Sequence, residues 1–284
     1  MRFSAGKSMR VAESPSQPKN DILLYMKKGR IIEEHKTSYI LSSEGVDYTA
    51  TVRGSFFDTD NFPKVGDCVE YSEVADGKTV IESILPRTSS IVRKSVETGL
   101  PQTIVTNVDL IFIVMGLDGD FNLSRLERYL LLAKQSNIEA VILLNKSDMV
   151  DGLEETINKV KEIAGETPVL SLSALTGENM SSMLPYLKEG ITAVLLGSSG
   201  AGKSTITNWL LNEDKQSVAD VRGDDSRGRH TTTSKQLFSL PTGGYLIDTP
   251  GMRELGVVDS SEEDEKRVFL KIEKISSDCQ FNNC

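Results

Sequence analysis

The stretch "ITAVLLGSSGAGKSTITNWLL", Ile191 to Leu211, joins an apolar run to a glycine-rich turn and then to a segment of helical spacing. Within it Gly197, Ser198, Ser199, Gly200, Ala201, Gly202, Lys203 and Ser204 fit the pattern G-x-x-x-x-G-K-[ST], in the strand-then-helix context that the pattern needs. Glycines let the backbone curl so that successive N–H groups face phosphate oxygens, and the helix N-terminus adds a favourable dipole. Lys203 would reach the β and γ phosphates of a nucleotide, with Thr205 following, and the Ser204 hydroxyl would face Mg²⁺. A plain strand-to-helix turn would also use glycine. All four fixed positions and both flanks are satisfied, however, which favours the phosphate reading. Such a loop ordinarily opens its domain, yet this one lies late in a chain of 284 residues.

Downstream, "LIDTPG" places Asp248 at the end of an apolar strand, where a carboxylate can hold a water on Mg²⁺, and Gly251 offers an N–H to a γ-phosphate. Upstream, "LLNKSD" ends another apolar strand at Asn145, Lys146, Ser147 and Asp148. Guanine presents N1–H and an N2 amino group side by side, and one ionised carboxylate accepts from both, which gives Asp148 its role. Adenine has no such donor pair, and a carboxylate left unpaired rejects it. The Lys146 stem can lie over the purine while Asn145 pins neighbouring loops. "LSA", ending in Ser173 and Ala174, closes the next strand and can offer a backbone N–H to the guanine oxygen.

Around these motifs, buried strands alternate with helices near 153–164 and 178–188, and "NLSRLERYLLLAKQS" starts from a candidate cap at Asn122, so a mostly parallel sheet covered on both faces is expected. Residues 1–28, with "SPSQPKND", read as a flexible lead-in. Residues 29–88 change character: five short strands, near "GRIIEEH", "SYILS", "DYTATVRGSF", "DCVEYSEV" and "TVIESIL", separated by turn signals, suggest a small OB-like barrel. Residues 89–258 carry the nucleotide motifs, and 259–284 form a charged helical tail that ends in Cys279 and Cys284.

Composition narrows the class. With 38% hydrophobic and 26% charged residues the chain is globular, and its net charge of −9 argues against indiscriminate nucleic-acid binding. No run approaches the roughly 18 apolar residues of a membrane span and no signal region opens the chain, so a soluble, cytoplasmic protein is expected. Between Gly29 and Thr88, 6 Lys+Arg face 11 Asp+Glu. Tyr39, Tyr48, Phe56 and Phe57 therefore fit a barrel core better than an RNA-stacking face. Cys68, alone in the barrel, reads as a small buried hydrophobe.

The motif order, base-reading, then phosphate loop, then D-T-P-G, is similar to that of the circularly permuted GTPases, an arrangement open to a compact domain with adjacent termini. With the barrel in front and the cysteine pair behind, the chain from about Gly29 to Cys284 resembles the RsgA/YjeQ family of GTPases that depend on the small ribosomal subunit. The resemblance implies an α/β fold: a circularly permuted P-loop GTPase domain, an N-terminal all-β OB-like barrel and a truncated C-terminal helical zinc-module remnant. It implies GTP with Mg²⁺, docking of a monomer on the small subunit and its rRNA, and rRNA-stimulated hydrolysis coupled to subunit maturation. It also implies Zn²⁺, but Cys279 and Cys284 supply only two thiolates, so the chain is truncated or the site is absent or completed by another molecule.

"DDSRGRHTTTSKQLF" lies where a first switch belongs, and Thr232 or its neighbour Thr231 would complete the Mg²⁺ shell. After D-T-P-G, Met252 stands where many GTPases carry a water-orienting glutamine. The resemblance assigns that task to His230, against which stands a histidine that merely anchors the switch. Two other readings compete with the GTPase. A nucleotide-gated RNA-binding module would show no turnover, and another P-loop NTPase would bind ATP and GTP equally.

Overall fold

The computed structural model describes residues 26–59, 61–74, 77–94, 100–119, 121–212 and 235–248. His230, Thr231, Thr232, Gly251, Met252, Cys279 and Cys284, most of the lead-in and the whole of 259–284 lie outside the described residues.

Five strands, β1 (Lys27–Glu34), β2 (Tyr39–Ser43), β3 (Val46–Val52), β4 (Cys68–Val74) and β5 (Lys78–Ile84), close on themselves in the order β1-β2-β3-β5-β4, with β1 pairing back onto β4. All neighbours are antiparallel except β3 and β5. Closure pairs Lys27–Arg30 of β1 with β4 and leaves the end of β1 near Glu33 open on that side, so a domain this small buries most of its backbone groups without a second sheet. Ile31, Tyr39, Leu41, Ala50, Phe56, Val69, Tyr71 and Ile81 fill the interior. Tyr39 and Phe56 are thus core, Tyr48 is half-buried and Phe57 remains exposed. Cys68 is half-buried rather than fully enclosed.

The third strand of the sequence reading stops sooner than expected. Gly54 and Ser55 turn the chain, and Phe56–Thr59 forms a short helix, α1, begun by bonds from Phe56 N to Arg53 O and Phe57 N to Gly54 O, both 3.1 Å. The segment after the barrel is a hairpin of β6 (Ser90–Lys94) and β7 (Pro101–Thr106).

The α/β part contains β8 (Leu110–Gly116), α2 (Leu123–Gln135), β9 (Glu139–Asn145), α3 (Leu153–Ala164), β10 (Val169–Ser171), β11 (Thr192–Leu196), α4 (Lys203–Asn212), β12 (Gln236–Ser239) and β13 (Tyr245–Asp248). Its strands lie in the order β10-β9-β8-β11-β13-β12, parallel except for β12. Every residue of β8 and β11 is buried, because both sheet faces are covered. Ile111, Ile113, Val194 and Leu196 point to the face covered by Leu126, Leu132 and Val160, while Phe112, Val114, Ala193 and Leu195 point to Met180, Met183, Ile206 and Leu210. Asn122 caps α2 as expected, its Oδ1 accepting from Arg125 N at 3.0 Å.

Two expectations change here. The helix near 178–188 is a 3₁₀ helix over Met180–Tyr186, whose buried Met180 and Met183 sit three residues apart, one turn of that tighter helix; Pro185 also lacks the N–H that an α-helix would use. The end of the supposed switch, Gln236–Ser239, is an edge strand.

That edge is covered by the barrel. Glu33 of β1 is in register with Gln236 of β12, and the two side chains are hydrogen-bonded, so eleven strands form one continuous sheet. Arg30 fixes the joint: its Nη2 donates to Thr192 Oγ1 at 2.8 Å and Asn107 O at 3.1 Å, and its guanidinium lies 4.8 Å from the Tyr245 ring centroid. Burial pushes its pKa down from the ordinary value. Nearby, the fully buried Asp67 takes two N–H bonds from Arg87 and one from Lys64 N, all at 2.8 Å, and the Arg87 pKa is raised by that partner. Removing one member of such a pair strands the other. Asp67→Ala is expected to lower unfolding free energy by about 3 kcal/mol in a denaturant titration.

Candidate functional site

The chain runs outward from β8 through β9 to β10 on one side, and from β11 to β13 on the other, so the connections diverge between β8 and β11. Ligands of open α/β sheets sit at the carboxyl ends of strands flanking such a point. Gly197 follows β11 there, and an added Cβ would stand 2.3 Å from Val114 O of β8, so only glycine lets the two strand ends approach. The loop then passes Gly200 (φ +80°) and Gly202 (φ +99°), conformations that glycine adopts without strain. Ser199 and Gly200 are exposed, Ser198 and Gly202 half-buried, and Ala201 buried. Lys203 Nζ lies across the loop and donates to the carbonyls of Gly197 and Ser198 at 2.7 and 2.6 Å. Ser204 and Thr205 are exposed in the first turn of α4.

Asn145, only 2% exposed, ties three segments together. Its Nδ2 donates to Ala201 O at 2.8 Å, inside the glycine loop, and its Oδ1 accepts from Ala174 N at 2.9 Å, in the "LSA" segment that follows β10 rather than ending it. The amide therefore fills both roles at once, as a buried amide must. The Ala174 N–H, one of those that "LSA" could offer a guanine oxygen, is donated to Asn145; the next residue, Leu175, is 83% exposed. Ser173 is fully buried, its Oγ accepting from Thr176 N at 3.2 Å.

Lys146 adopts a left-handed backbone (φ +68°) and leads into a 3₁₀ turn over Ser147–Met149, with Ser147 half-buried and Asp148 exposed at its centre. Its ammonium is paired with Asp118, in the turn that follows β8. Sequence reasoning passed over Asp118, although an acid two residues beyond a buried strand, in "GLDGD", is a signal of its own. Asp248 ends β13, beside β11 and opposite Gln236 of β12. The NKSD segment, the glycine loop and Asp248 thus share one end of the sheet. Among the described residues no cluster of three or more His, Cys, Asp or Glu forms a metal site, and no helix is long and apolar enough to cross a membrane.

Strand order and motif order together are those of a GTPase whose chain begins in its base-reading half, and the model of the RsgA GTPase family matches residues 84–258. The chain belongs to the RsgA GTPase family. It is a GTP hydrolase, and its fold is the circularly permuted one. The small ribosomal subunit biogenesis GTPase RsgA 2 of Lactiplantibacillus plantarum is 41% identical over 260 residues, covering 90% of this chain and 73% of that one. The small ribosomal subunit biogenesis GTPase RsgA of Methanosarcina acetivorans is 41% identical over 258 residues, with 90% and 70% covered. Among solved structures, YjeQ from Thermotoga maritima superposes with a TM-score of 0.67 at 27% identity, covering 91% of this chain and 86% of that one. YloQ, a circularly permuted GTPase, gives 0.62 at 26%, with 94% and 85% covered. Membership in the RsgA family brings GTP and Mg²⁺ as the implied ligands.

Proposed function

We propose that this RsgA-family member binds the small ribosomal subunit in the cytoplasm as a monomer and couples GTP hydrolysis to a late step of subunit maturation and to its own release. The small-subunit part of this reading is supported by the 41% identical small ribosomal subunit biogenesis GTPases, and the nucleotide part by the Asn145 bridge between the NKSD segment and the glycine loop. The barrel of residues 29–88 and the GTPase unit of 89–258 are the two working parts, with 259–284 as the tail.

In this reading Asp148 selects guanine, Lys146 covers it, and Ser147, Ser173 and Ala174 shape the edge of the base pocket. Residues Gly197 to Gly202 present backbone N–H groups to the phosphates, with Lys203 and Thr205 beside them. The donors fit Mg²⁺: an exposed Ser204 hydroxyl and the Asp248 carboxylate stand at the ends of neighbouring elements, with Thr232 or Thr231 to join them in the GTP state, while the Gly251 N–H would face the γ-phosphate. Mg²⁺ neutralises charge that builds on the phosphate oxygens during transfer. Zinc enters only through Cys279 and Cys284, two of the four ligands a structural site takes.

His230 positions or deprotonates the attacking water, since Met252 offers no useful hydrogen bond. Hydrolysis titrated with purified small and large subunits tests the proposal. Turnover should climb with small subunits and stay flat with large ones, and equal stimulation by both would reject the assignment. His230→Ala should leave GTP affinity within twofold and cut stimulated turnover about 10²-fold, the lower end for a positioned proton-transfer group.

A further inference from the structure

Asp118 belongs to none of the nucleotide motifs, yet it is paired with Lys146 of one of them and borders another. Gly116, which ends β8, is in register with Asn145, and Leu117 N donates to Asn145 O at 2.8 Å. The turn that follows closes with Phe121 N on Asp118 O at 3.0 Å. A Cβ on Gly116 would stand 3.1 Å from Asp118 Oδ1 and 3.4 Å from Ala201 Cα, so the carboxylate is folded tightly against the strand end that borders the glycine loop. Both partners are about three-quarters buried, at 25% and 28% side-chain exposure. Screening by solvent is therefore weaker than for a surface pair.

We propose that Asp118 is a positioning residue for guanine-nucleotide binding: it holds the Lys146 ammonium so that the lysine stem is already laid out where the base plane comes to rest. The proposal rests on the reading of Lys146 and Asp148 as the base site. A lysine side chain has four rotatable bonds, and a ligand that must order it gives up affinity to do so. Here the left-handed backbone at Lys146 and the carboxylate at its far end fix both termini of the stem before nucleotide arrives. The pairing also keeps this ammonium off the phosphates, leaving Lys203 as the cation of the glycine loop. Because base and ribose are common to GDP and GTP, the effect is uniform binding, which alters KM without altering the chemical step.

The test is equilibrium binding of fluorescent GDP and GTP analogues to Asp118→Ala, Asp118→Asn, Lys146→Met and the Asp118→Ala/Lys146→Met double variant, with KM and kcat measured alongside. Asp118→Ala should weaken GDP and GTP alike by about tenfold, the scale of ordering one long side chain, and should raise KM while kcat moves less than twofold. Asp118→Asn, which keeps an acceptor oxygen, should recover much of that loss. In the Lys146→Met background Asp118→Ala should add nothing, since the ammonium it held is gone. Additive losses, a fall in kcat at unchanged affinity, or an unaltered Kd would each overturn the proposal. Should the alanine variant fail to fold, Asp118→Asn with and without Lys146→Met carries the same comparison. Asp148→Asn, assayed in parallel, separates the two ideas: retained guanine preference there defeats the base-site reading itself, whereas lost preference with an inert Asp118 defeats only this one.

Discussion

Gly202→Ala is expected to lower affinity for both GTP and GDP by more than about 10³-fold, measured by equilibrium binding of a fluorescent analogue. The added methyl would lie 2.0 Å from Asn145 Nδ2, at a backbone φ of +99°. Asn145 has no room to step aside at low cost. It is 2% exposed, and its amide is engaged on both ends, by Ala201 O and Ala174 N. Displacing it strands two buried backbone groups at about 1–3 kcal/mol each, and the left-handed alanine adds about 1 kcal/mol or more. A total near 4 kcal/mol corresponds to about 10³ in a binding constant if the loop escapes the clash by deforming and must be restored around phosphate. Gly200→Ala is the control, because its φ is +80° but its Cβ would meet nothing within 4 Å. Only the backbone term applies there, so about tenfold is expected. Binding by Gly202→Ala within tenfold of the parent would show that the Asn145 bridge is dispensable.

The same bridge marks how far the sequence could be read. The placement of Gly197 to Ser204 and of Asn145 to Asp148 at strand ends is legible because such motifs fix residue types at fixed offsets, and the strands around them because double-sided burial produces unbroken apolar runs such as "LIFIVMG". The barrel was legible from its turns, since five short strands at close spacing have few other ways to bury one face each. What escaped depends on partners remote in sequence. Gln236–Ser239 is too short and too polar to announce a strand, and becomes one only because β13 and β1 supply bonds on both sides. Arg30 gives no sign in "GRIIEEH" that it reaches Thr192, 162 positions away. The sequence "GLDGD" marks Asp118 by position but does not reveal its partner, Lys146, on the adjacent strand end. The 3₁₀ helix at Met180 was misread through its apolar spacing, which a period of three and a period of 3.6 share over so few residues.

Asp148→Asn should change the base that the protein prefers. The aspartate stands exposed in the 3₁₀ turn after Lys146, on a backbone held from behind by Ser147 N donating to Leu172 O at 3.2 Å. In the proposed base site its carboxylate would accept from guanine N1–H and the N2 amino group together, and two hydrogen bonds to a charged acceptor are worth about 3–5 kcal/mol. An asparagine keeps one acceptor but turns an N–H donor toward the guanine amino group, so one bond is lost and a donor faces a donor. GTP and GDP affinities should fall by about 10³-fold, equally, because the phosphate loop and the Asn145 bridge are untouched. Xanthine carries a carbonyl at C2 in place of the amino group, which matches the amide donor of asparagine. The variant should therefore bind xanthosine triphosphate more tightly than GTP, reversing the order of the parent, in a competition assay against one fluorescent nucleotide. A buried recognition site rejects a mismatched polar edge far more strongly than a missing methylene, so the reversal should be large enough to read directly. If Asp148→Asn still preferred GTP to xanthosine triphosphate, base selection would lie with a group other than Asp148.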